Sequence, residues 1–342
     1  MQHLVVDPSK RAPTTRTHPG ASHLPAAKAT HYHPIHPESS DANASLQFIG
    51  TATTLLHFSP LTILTDPNFL HAGDHVHLGP GVTATRLTNP SVDLHDLPPV
   101  DLVLLSHYHE DHFDREVEAE LRRDLPIVTT PHARKCLVDK KEPGERFEKV
   151  EALKEWDSLM VDVEGQDPDA QNGRVRAVKI TGMPGKHVPS GGILGKVNEL
   201  AHAVPPTNGW MVELGSKPKD GDDVDFTCGY RIYISGDTLM VDELREIPTR
   251  YAGQNIDLML VHLGGTTIPS PSMPLLMVTM DAKQGLELVR LVNPDLTIPI
   301  HYDDYDAFLS PLDDFKKAMA EAGLQDKVVY LDRGEEYKFV VR

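Results

Sequence analysis

The chain has 342 residues, of which 39% are hydrophobic and 24% are charged, and its mean hydropathy is −0.31. These values are typical of a globular protein with a sizeable core and exclude a membrane-spanning one, because no apolar run approaches the roughly 20 residues that cross a bilayer. The net charge of −17, from 33 basic and 50 acidic residues, argues against a surface that follows nucleic-acid phosphates. Nucleic acid is therefore disfavoured as a partner.

Cysteine usage and the composition of the first thirty residues bear on the cellular compartment. Cys136 and Cys228 are too few for a disulfide framework and too far apart for a CxxC metal clip. The first thirty residues contain His, Pro, Thr and Lys throughout and no secretory apolar segment. Both observations predict a cytoplasmic location, and neither speaks to the oligomeric state.

Residues 1–44 are rich in Pro, Thr, Ser, His and Ala and show little apolar periodicity, which predicts an extended or partly disordered N-terminal arm. One domain is expected over 45–342. The arm histidines His31, His33 and His36 could form a metal site or a substrate flap. Composition favours a solvated tail instead, and we assign them no ligand role.

From Leu46 onward, short β-branched and apolar runs alternate with turns, so strands are expected first and amphipathic helices later. The pattern favours two sheets with helices outside them. The predicted strands lie near 46–50, 53–58, 61–67, 100–106, 175–181, 209–214, 230–235, 257–263, 297–301, 327–331 and 337–341. The predicted helices lie near 112–123, 132–140, 281–292 and 312–323, the last of them closed by Gly323.

The strongest chemical signal is SHYHEDHFD, which places His107, His109, Asp111 and His112 directly after the apolar strand VDLVLLS. Alternation at the strand end sends His107 and His109 to one side, while the other two begin the next element, so the segment can serve two neighbouring metal ions. Imidazole and carboxylate ligands without a thiolate suit zinc first, with manganese or iron as alternatives. The alternative to a metal site is a solvated polar loop after a strand.

HxHxDH resembles the signature of the metallo-β-lactamase superfamily, and the resemblance extends from about residue 46 to the C-terminus. It implies an α+β fold, a four-layer αββα sandwich with a binuclear metal site between its sheets. Within the superfamily the chain looks most like the branch containing N-acylphosphatidylethanolamine phospholipase D and ascorbate 6-phosphate lactonase. FIGTATTLLHFSPLTILTDPNF is similar to the opening hairpin of that branch, although the family often has His where Thr51 stands.

Three further segments resemble family stretches that supply metal ligands, and each follows a predicted strand. They are KITGMPGKHVPSGG with His187, YISGDT with Asp237, and IPIHYDDYDAF with His301. The resemblance implies that one metal site consists of His107, His109 and His187, that the second consists of Asp111, His112 and His301, and that Asp237 is shared.

Two other residues and one segment have both a functional and a purely structural interpretation. Asp66 resembles a residue that holds the ligand loop by hydrogen bonds, or it forms an Asx turn before Pro67. His262 is a catalytic candidate, together with Asp111 and Asp237, because it could polarise the substrate; otherwise it is a satisfied buried histidine. The apolar, proline-broken segment 266–278 could be a lid, part of the core or an oligomer contact.

We expect a hydrolase that holds two zinc ions and uses a metal-bridging hydroxide on an ester-type bond, a phosphodiester or a lactone, of a small or lipid-like molecule. A lactam or thioester hydrolase is the first alternative. An RNA-processing nuclease, a di-iron redox protein and a non-catalytic metal-binding protein follow. A deep apolar pocket would favour a lipid-like substrate, whereas a shallow charged one would favour small phosphates or sugars.

Overall fold

Two β-sheets form the centre of the structure, which is a computed structural model describing residues 1–35, 41–79, 82–165, 173–188, 204–219, 221–270 and 273–342. Strands are numbered in chain order. In the described residues the first sheet contains, from edge to edge, β1 (Gln2–Val6), β11 (Ser158–Val163), β12 (Arg174–Met183), β13 (Gly209–Pro218), β14 (Thr227–Ile234), β15 (Leu258–His262) and β18 (Leu296–Ile300). The second sheet, over the same ranges, contains β10 (Val150–Ala152), β9 (Ile127–Thr129), β8 (Leu102–Leu104), β5 (Leu61–Thr65), β4 (Thr53–Phe58), β3 (Ala44–Gly50), β19 (Glu336–Phe339) and β2 (Thr30–His31).

Two hairpins lie outside the large sheets. One is β6 (His75–Gly79) with β7 (Val82–Thr85), and the other is β16 (Thr267–Ser270) with β17 (Met273–Met277). The helices of the described ranges are α1 (Arg115–Glu120), α2 (Pro131–Val138), α3 (Ile247–Arg250), α4 (Ala282–Val292) and α5 (Leu312–Glu321).

Buried side chains fill three spaces and establish the layers of the fold. Between the two sheets, residues such as Leu56 and Ile63 of the second sheet pack in one cluster with Val212 and Ile298 of the first. The outer face of the first sheet packs against α4 and α5, and the outer face of the second sheet packs against α1 and α2. The layer order is therefore helix, sheet, sheet, helix, and the predicted αββα sandwich is confirmed.

Strand direction determines where the chemistry gathers. The strands β14, β15 and β18 run parallel, and β12 runs in the same direction because it is antiparallel to β13, which is antiparallel to β14. In the second sheet, β5 and β8 are parallel. The carboxyl ends of β12, β14 and β18 therefore line one edge of the first sheet, and ligand atoms that follow them lie within 4.8 Å of ligand atoms that follow β8, so the loops of both sheets meet there.

Several expected elements differ from those observed. The prediction of a strand at 327–331 is wrong: Lys327 ends a short 3₁₀ turn, Gln325–Lys327, and Val328 makes only an isolated bridge to Thr297. Val328 and Leu331 are buried by side-chain packing rather than by strand pairing, which explains the apolar pattern. The N-terminal segment contributes β1, which pairs parallel with β11 and buries Leu4 and Val6. The domain boundary at 44/45 stays a prediction.

None of the helices in the described ranges combines the length and the apolar composition that a bilayer crossing demands.

Candidate metal centre

The seven residues predicted as ligands lie together at the carboxyl edge of the sandwich, and we call them the candidate metal centre. All except His109 are buried. They follow four different strands, two of which are separated from the HxHxDH motif by more than a hundred residues of sequence. The members are His107, His109, Asp111, His112, His187, Asp237 and His301.

The loop after β8 is held in a tight turn by its own backbone. The amides of His112 and Phe113 both donate to the carbonyl oxygen of His109, at 3.0 and 2.7 Å. Asp114 then caps α1, because its carboxylate accepts from the amides of Glu116 and Val117. The same carboxylate accepts from the amide of Phe69 at 2.5 Å, so the helix cap also ties the ligand loop to the chain after β5.

Asp237 reaches the centre because Gly236 allows a turn that other residues would resist. Gly236 has φ = +61°, and a Cβ placed on it would lie 2.3 Å from the carbonyl oxygen of Asn208. The Asp237 carboxylate then lies 3.2 Å from Nε2 of His112 and 3.6 Å from Nε2 of His301. The predicted bridging residue thus occupies the middle of the cluster.

The ligand atoms fall into overlapping groups whose members lie within 4.8 Å of one another. One group contains Asp111, His112, Asp237 and His301, and this is the composition expected of the second site plus the shared carboxylate. On the other side, His107, His187 and Asp237 form one group, and His107, His109 and Asp111 form another. Asp237 and Asp111 each belong to a group on each side.

Unpartnered nitrogen atoms indicate what the centre is built to hold. Among the described residues, the buried Nε2 atoms without a hydrogen-bond partner include those of His107, His109, His112, His187, His262 and His301. Leaving a buried polar atom unpaired costs about 1–3 kcal/mol, so six at one place need an explanation. Cations bound between the imidazoles and carboxylates would supply the missing partners. The residues therefore fit a metal centre.

The other ring nitrogens have partners that fix the orientation of the imidazoles. Nδ1 of His187 lies 3.0 Å from the carbonyl oxygen of Val278, and Nδ1 of His301 lies 3.0 Å from that of Leu263. A carbonyl can only accept, so each Nδ1 carries the proton and each Nε2 presents a lone pair. Nδ1 of His107 contacts the Ser106 hydroxyl at 2.9 Å.

The pKa values follow from burial and from the two carboxylates. Burial lowers the pKa of His107 well below its ordinary value and that of His187 to about 4, so both are neutral at pH 7. Burial also opposes the charged form of His112, but the carboxylates of Asp237 and Asp111 outweigh it and raise the pKa of His112 well above its ordinary value. For Asp237, burial is outweighed by His112 and His301, and its pKa lies well below the usual range. The carboxylates are thus charged and available to a cation.

Asp66 and His262 touch the ligands from behind. Asp66 has φ = +36°; its carboxylate accepts from the amide of Ser106 at 2.7 Å and lies 3.5 Å from Nδ1 of His112. His262 is fully buried, and its Nδ1 lies 3.1 Å from the Asp237 carboxylate. Both residues are placed to orient ligands. A direct catalytic role for His262 stays a prediction.

Sequence reasoning missed a buried network around Arg86, which is 1% exposed. Its guanidinium donates to the side chain of Asn68 and to the Asp304 carboxylate, and Asn68 donates to the carbonyl oxygen of Glu110 at 2.9 Å, inside the ligand loop. Asp304 accepts from the amide of Thr51 at 2.7 Å, and the carbonyl oxygen of Thr51 accepts from the amide of His301 at 2.9 Å. Arg86 therefore braces two ligand loops at once.

Backbone strain is concentrated along the same connection. Thr51 and His301 have φ values of +52° and +61°, in the region that β-branched and bulky residues avoid. Their mutual hydrogen bond and the Asp304 contact hold them there. Thr51 occupies the position where a family histidine is common, and here its backbone, not its side chain, makes the contacts that support His301.

Two cavities adjoin the centre in the described part of the chain. The first, about 10 Å³, lies over Asp111, His187 and Asp237, and Leu78, Val204, Thr266, Val278 and Thr279 form its remaining walls together with His109. It has room for about one water molecule. The second, about 220 Å³, shares His109 and is lined mainly by polar and charged side chains: His77, Tyr108, Glu110, Phe113, Arg115 and Glu118.

The segment 266–278, expected as a lid, core or contact, forms the hairpin β16–β17, and its first and last residues, Thr266 and Val278, border the small cavity. Residues 271 and 272 lie outside the described residues, so a lid role stays a prediction. Of the arm histidines, His31 contacts Glu335 at 2.9 Å, away from the centre, and His36 lies outside the described residues.

Comparison with known proteins places this chain in a family. The family profile described as a beta-lactamase superfamily domain matches residues 61–302. A UPF0173 metal-dependent hydrolase of Thermodesulfovibrio yellowstonii is 24% identical over 257 residues, 74% of this chain and 82% of the relative. A UPF0173 metal-dependent hydrolase of Salinibacter ruber is 26% identical over 286 residues, 83% of this chain and 95% of the relative.

Among solved structures, an isothiocyanate hydrolase from Delia radicum gut bacteria superposes with a TM-score of 0.61 at 18% identity, over 85% of this chain and 98% of the other. At that identity the likeness concerns the fold alone.

Proposed function

The chain belongs to the metallo-β-lactamase superfamily, and from this premise we propose that it is a hydrolase whose centre holds two zinc ions and cleaves an ester-type bond. The predicted class, a metal-dependent hydrolase, is confirmed by the names of its relatives. The number of ions, their identity and the bond are our proposal. The observation that carries it is the convergence of unpartnered Nε2 atoms with two charged carboxylates in one buried cluster.

We assign His107, His109 and His187 to one ion, and Asp111, His112 and His301 to the other. Following the resemblance we take Asp237 as the shared ligand, and its ligand atom groups with those of His107 and His187 on one side and with those of His112 and His301 on the other. Two divalent ions bound there would supply an activated water as nucleophile and an electrophile for the substrate oxygen. Zinc suits this set of imidazole and carboxylate donors, with manganese or iron as alternatives.

The chain's own residues hold this machinery rather than perform a separate nucleophilic step. The carbonyls of Val278 and Leu263 fix the protonated nitrogens of His187 and His301, so that both rings present Nε2 to the cations. His262 holds Asp237 through Nδ1. The apolar side chains Leu78 and Val278 limit water around the reacting bond, which strengthens the electrostatic effect of the cations.

The cavities favour a small polar substrate over a long-chain lipid. The space over the ligands admits only about one water molecule, whereas the adjoining cavity of about 220 Å³ carries the charged groups of Glu110, Arg115 and Glu118. We propose that the reacting bond lies beside His109 and that the rest of the substrate occupies the polar cavity. A phosphodiester or lactone with a compact polar body fits this arrangement.

The test is hydrolysis of bis-p-nitrophenyl phosphate, a set of lactones and a chromogenic cephalosporin by purified protein, with and without chelator. We expect turnover of a phosphodiester or a lactone that chelator abolishes and zinc restores. The matched pair of variants is His187→Ala, which should be inactive, and His31→Ala, which changes an arm histidine outside the centre and should retain activity. Turnover of the cephalosporin alone, or equal activity with chelator, would refute the proposal.

A cytoplasmic location is proposed because Cys136 and Cys228 are both unpaired thiols, as expected in a reducing compartment.

A further inference from the structure

A second group of possible metal ligands lies on the surface, formed by His18, His95 and Glu120, and we call it the arm cluster. Each residue offers one ligand atom, and these atoms lie within 4.8 Å of one another. His18 comes from the N-terminal segment, His95 from the short 3₁₀ turn Leu94–Asp96, and Glu120 from the end of α1. The cluster therefore joins the N-terminal segment to two elements of the domain.

The backbone brings His18 to this position and holds it there. The amide of Arg16 donates to the carbonyl oxygen of Glu120 at 2.8 Å, and the amide of Arg122 donates to the carbonyl oxygen of Thr14 at 3.1 Å. The hydroxyl of Thr15 donates to the carbonyl oxygen of His18 at 3.1 Å. These hydrogen bonds lay the segment along the end of α1.

The side chains of the arm cluster bring three metal-ligand atoms within 4.8 Å of one another. The rings of His18 and His95 lie with their centroids 3.9 Å apart and tilted by 40°. Nδ1 of His95 is buried and has no hydrogen-bond partner among the described residues. The Glu120 carboxylate lies next to both rings and accepts from the hydroxyl of Thr17. Nδ1 of His18 lies 2.8 Å from the same Thr17 hydroxyl, so Thr17 links two members of the cluster, and the unpaired buried nitrogen of His95 is the atom that a cation would satisfy.

We propose that His18, His95 and Glu120 bind a zinc ion that fastens the N-terminal segment to the domain. Two imidazoles and one carboxylate are ligands that zinc takes, at bond lengths of about 2.0–2.2 Å. Zinc binding would draw the three ligand atoms, which lie within 4.8 Å of one another, closer together. Three protein ligands leave a fourth position for water. This site is separate from the candidate metal centre and shares no residue with it.

The first test counts bound zinc by mass spectrometry after equilibrium dialysis of the full chain. The variant His18→Ala/His95→Ala is expected to bind one zinc fewer than the unmodified protein. His23→Ala is the matched control, since it removes another exposed histidine of the same segment and should bind as much zinc as the unmodified protein. Glu120→Gln keeps the side-chain length and the backbone contact to Arg16, so its loss of zinc would report on the carboxylate alone.

The second test asks whether zinc fastens the segment. Trypsin cleavage after Arg16 requires local opening, and at a free zinc concentration ten times the dissociation constant bound metal reduces such opening about tenfold. We expect zinc to slow cleavage by that factor in the unmodified protein and in His23→Ala, and to leave the double variant unaffected. Equal zinc content and equal cleavage rates in the unmodified protein and the double variant would overturn the proposal, whatever the hydrolytic activity.

Discussion

The candidate metal centre and the arm cluster use the same kinds of side chain in opposite physical settings. In the centre, six of the seven residues are buried and their second nitrogens or backbones are fixed by neighbouring groups. In the arm cluster, His18 is exposed, and His95 and Glu120 are only partly buried. The comparison teaches that burial demands support: a desolvated group of imidazoles and carboxylates needs surrounding contacts, whereas a surface group can be assembled by one docked segment.

The largest expected effect comes from the shared carboxylate of the centre. Asp237→Ala removes a carboxylate whose ligand atom groups with those of His107 and His187 on one side and with those of His112 and His301 on the other, so both ions should be lost and hydrolysis should fall by more than the roughly 10–100-fold typical of residues that only orient ligands. Zinc content should drop by two per chain relative to the unmodified protein, while the arm cluster keeps its zinc. Loss of a single zinc would show that Asp237 does not bridge.

Removal of the brace behind the ligand loops should have the next largest effect. Arg86→Met leaves Asn68 without its guanidinium partner and weakens the neutralisation of Asp304, with an expected loss of about 3 kcal/mol in the free energy of unfolding. Urea denaturation measures it. Arg245→Met is the control, because Arg245 and Glu287 form an exposed ion pair whose removal should cost less than about 1 kcal/mol. Equal costs would mean that Arg86 braces nothing.

A smaller and more selective effect is expected from Asp66→Asn. Asp66 accepts from the amide of Ser106 and faces Nδ1 of His112, so the substitution should weaken zinc binding at the centre by about 10–100-fold. Asp101→Asn is the matched control: Asp101 is also buried and accepts a backbone hydrogen bond, from Thr62 at 2.8 Å, but it lies before β8 rather than after it. It should lower stability without changing zinc affinity.

The four ligands of the HxHxDH motif could be predicted from the sequence, because their spacing and their position after an apolar strand are both visible in one segment. His107, His109, Asp111 and His112 are of this kind. His187 and His301 stand alone in their segments, and only the resemblance of those segments to a known family, in the expected order after predicted strands, pointed to them. Strand ends that share one edge then brought them together.

The supporting network could not be predicted, because its members are far apart in sequence and have no local signature. Arg86 and Asp304 are separated by 218 positions, and an isolated arginine in a polar stretch gives no indication that it will be buried. The strand β1 was missed for a related reason: its five residues stand in a polar segment, and its partner β11 begins more than 150 residues later. The apolar run 327–331 gave the opposite error, a predicted strand that the structure lacks, because apolar side chains can be buried without strand pairing.

The smallest expected effect comes from Gly20, two residues after His18, and it should change zinc binding by the arm cluster but not by the candidate metal centre. Gly20 has φ = +71°, and a Cβ on it would lie 2.4 Å from the carbonyl oxygen of Leu97, next to the turn that carries His95. Gly20→Ala should therefore move the segment away from that turn and weaken zinc binding by the arm cluster about fivefold, equivalent to about 1 kcal/mol of backbone strain. Zinc titration of the variant measures the change.

Gly253→Ala is the control that separates the steric contact with a neighbouring carbonyl oxygen from the strain of a positive φ. Gly253 has a similar φ of +75°, but nothing lies within 4 Å of the position of its Cβ. Gly253→Ala should lower the free energy of unfolding by about 1 kcal/mol, because of the same backbone strain, without any change in zinc affinity. Because Gly20 touches none of the seven residues of the centre, hydrolysis should be unchanged in both variants. A fall in hydrolysis in Gly20→Ala alone would show instead that the docked segment supports the centre, and the two clusters would then be parts of one assembly rather than independent sites.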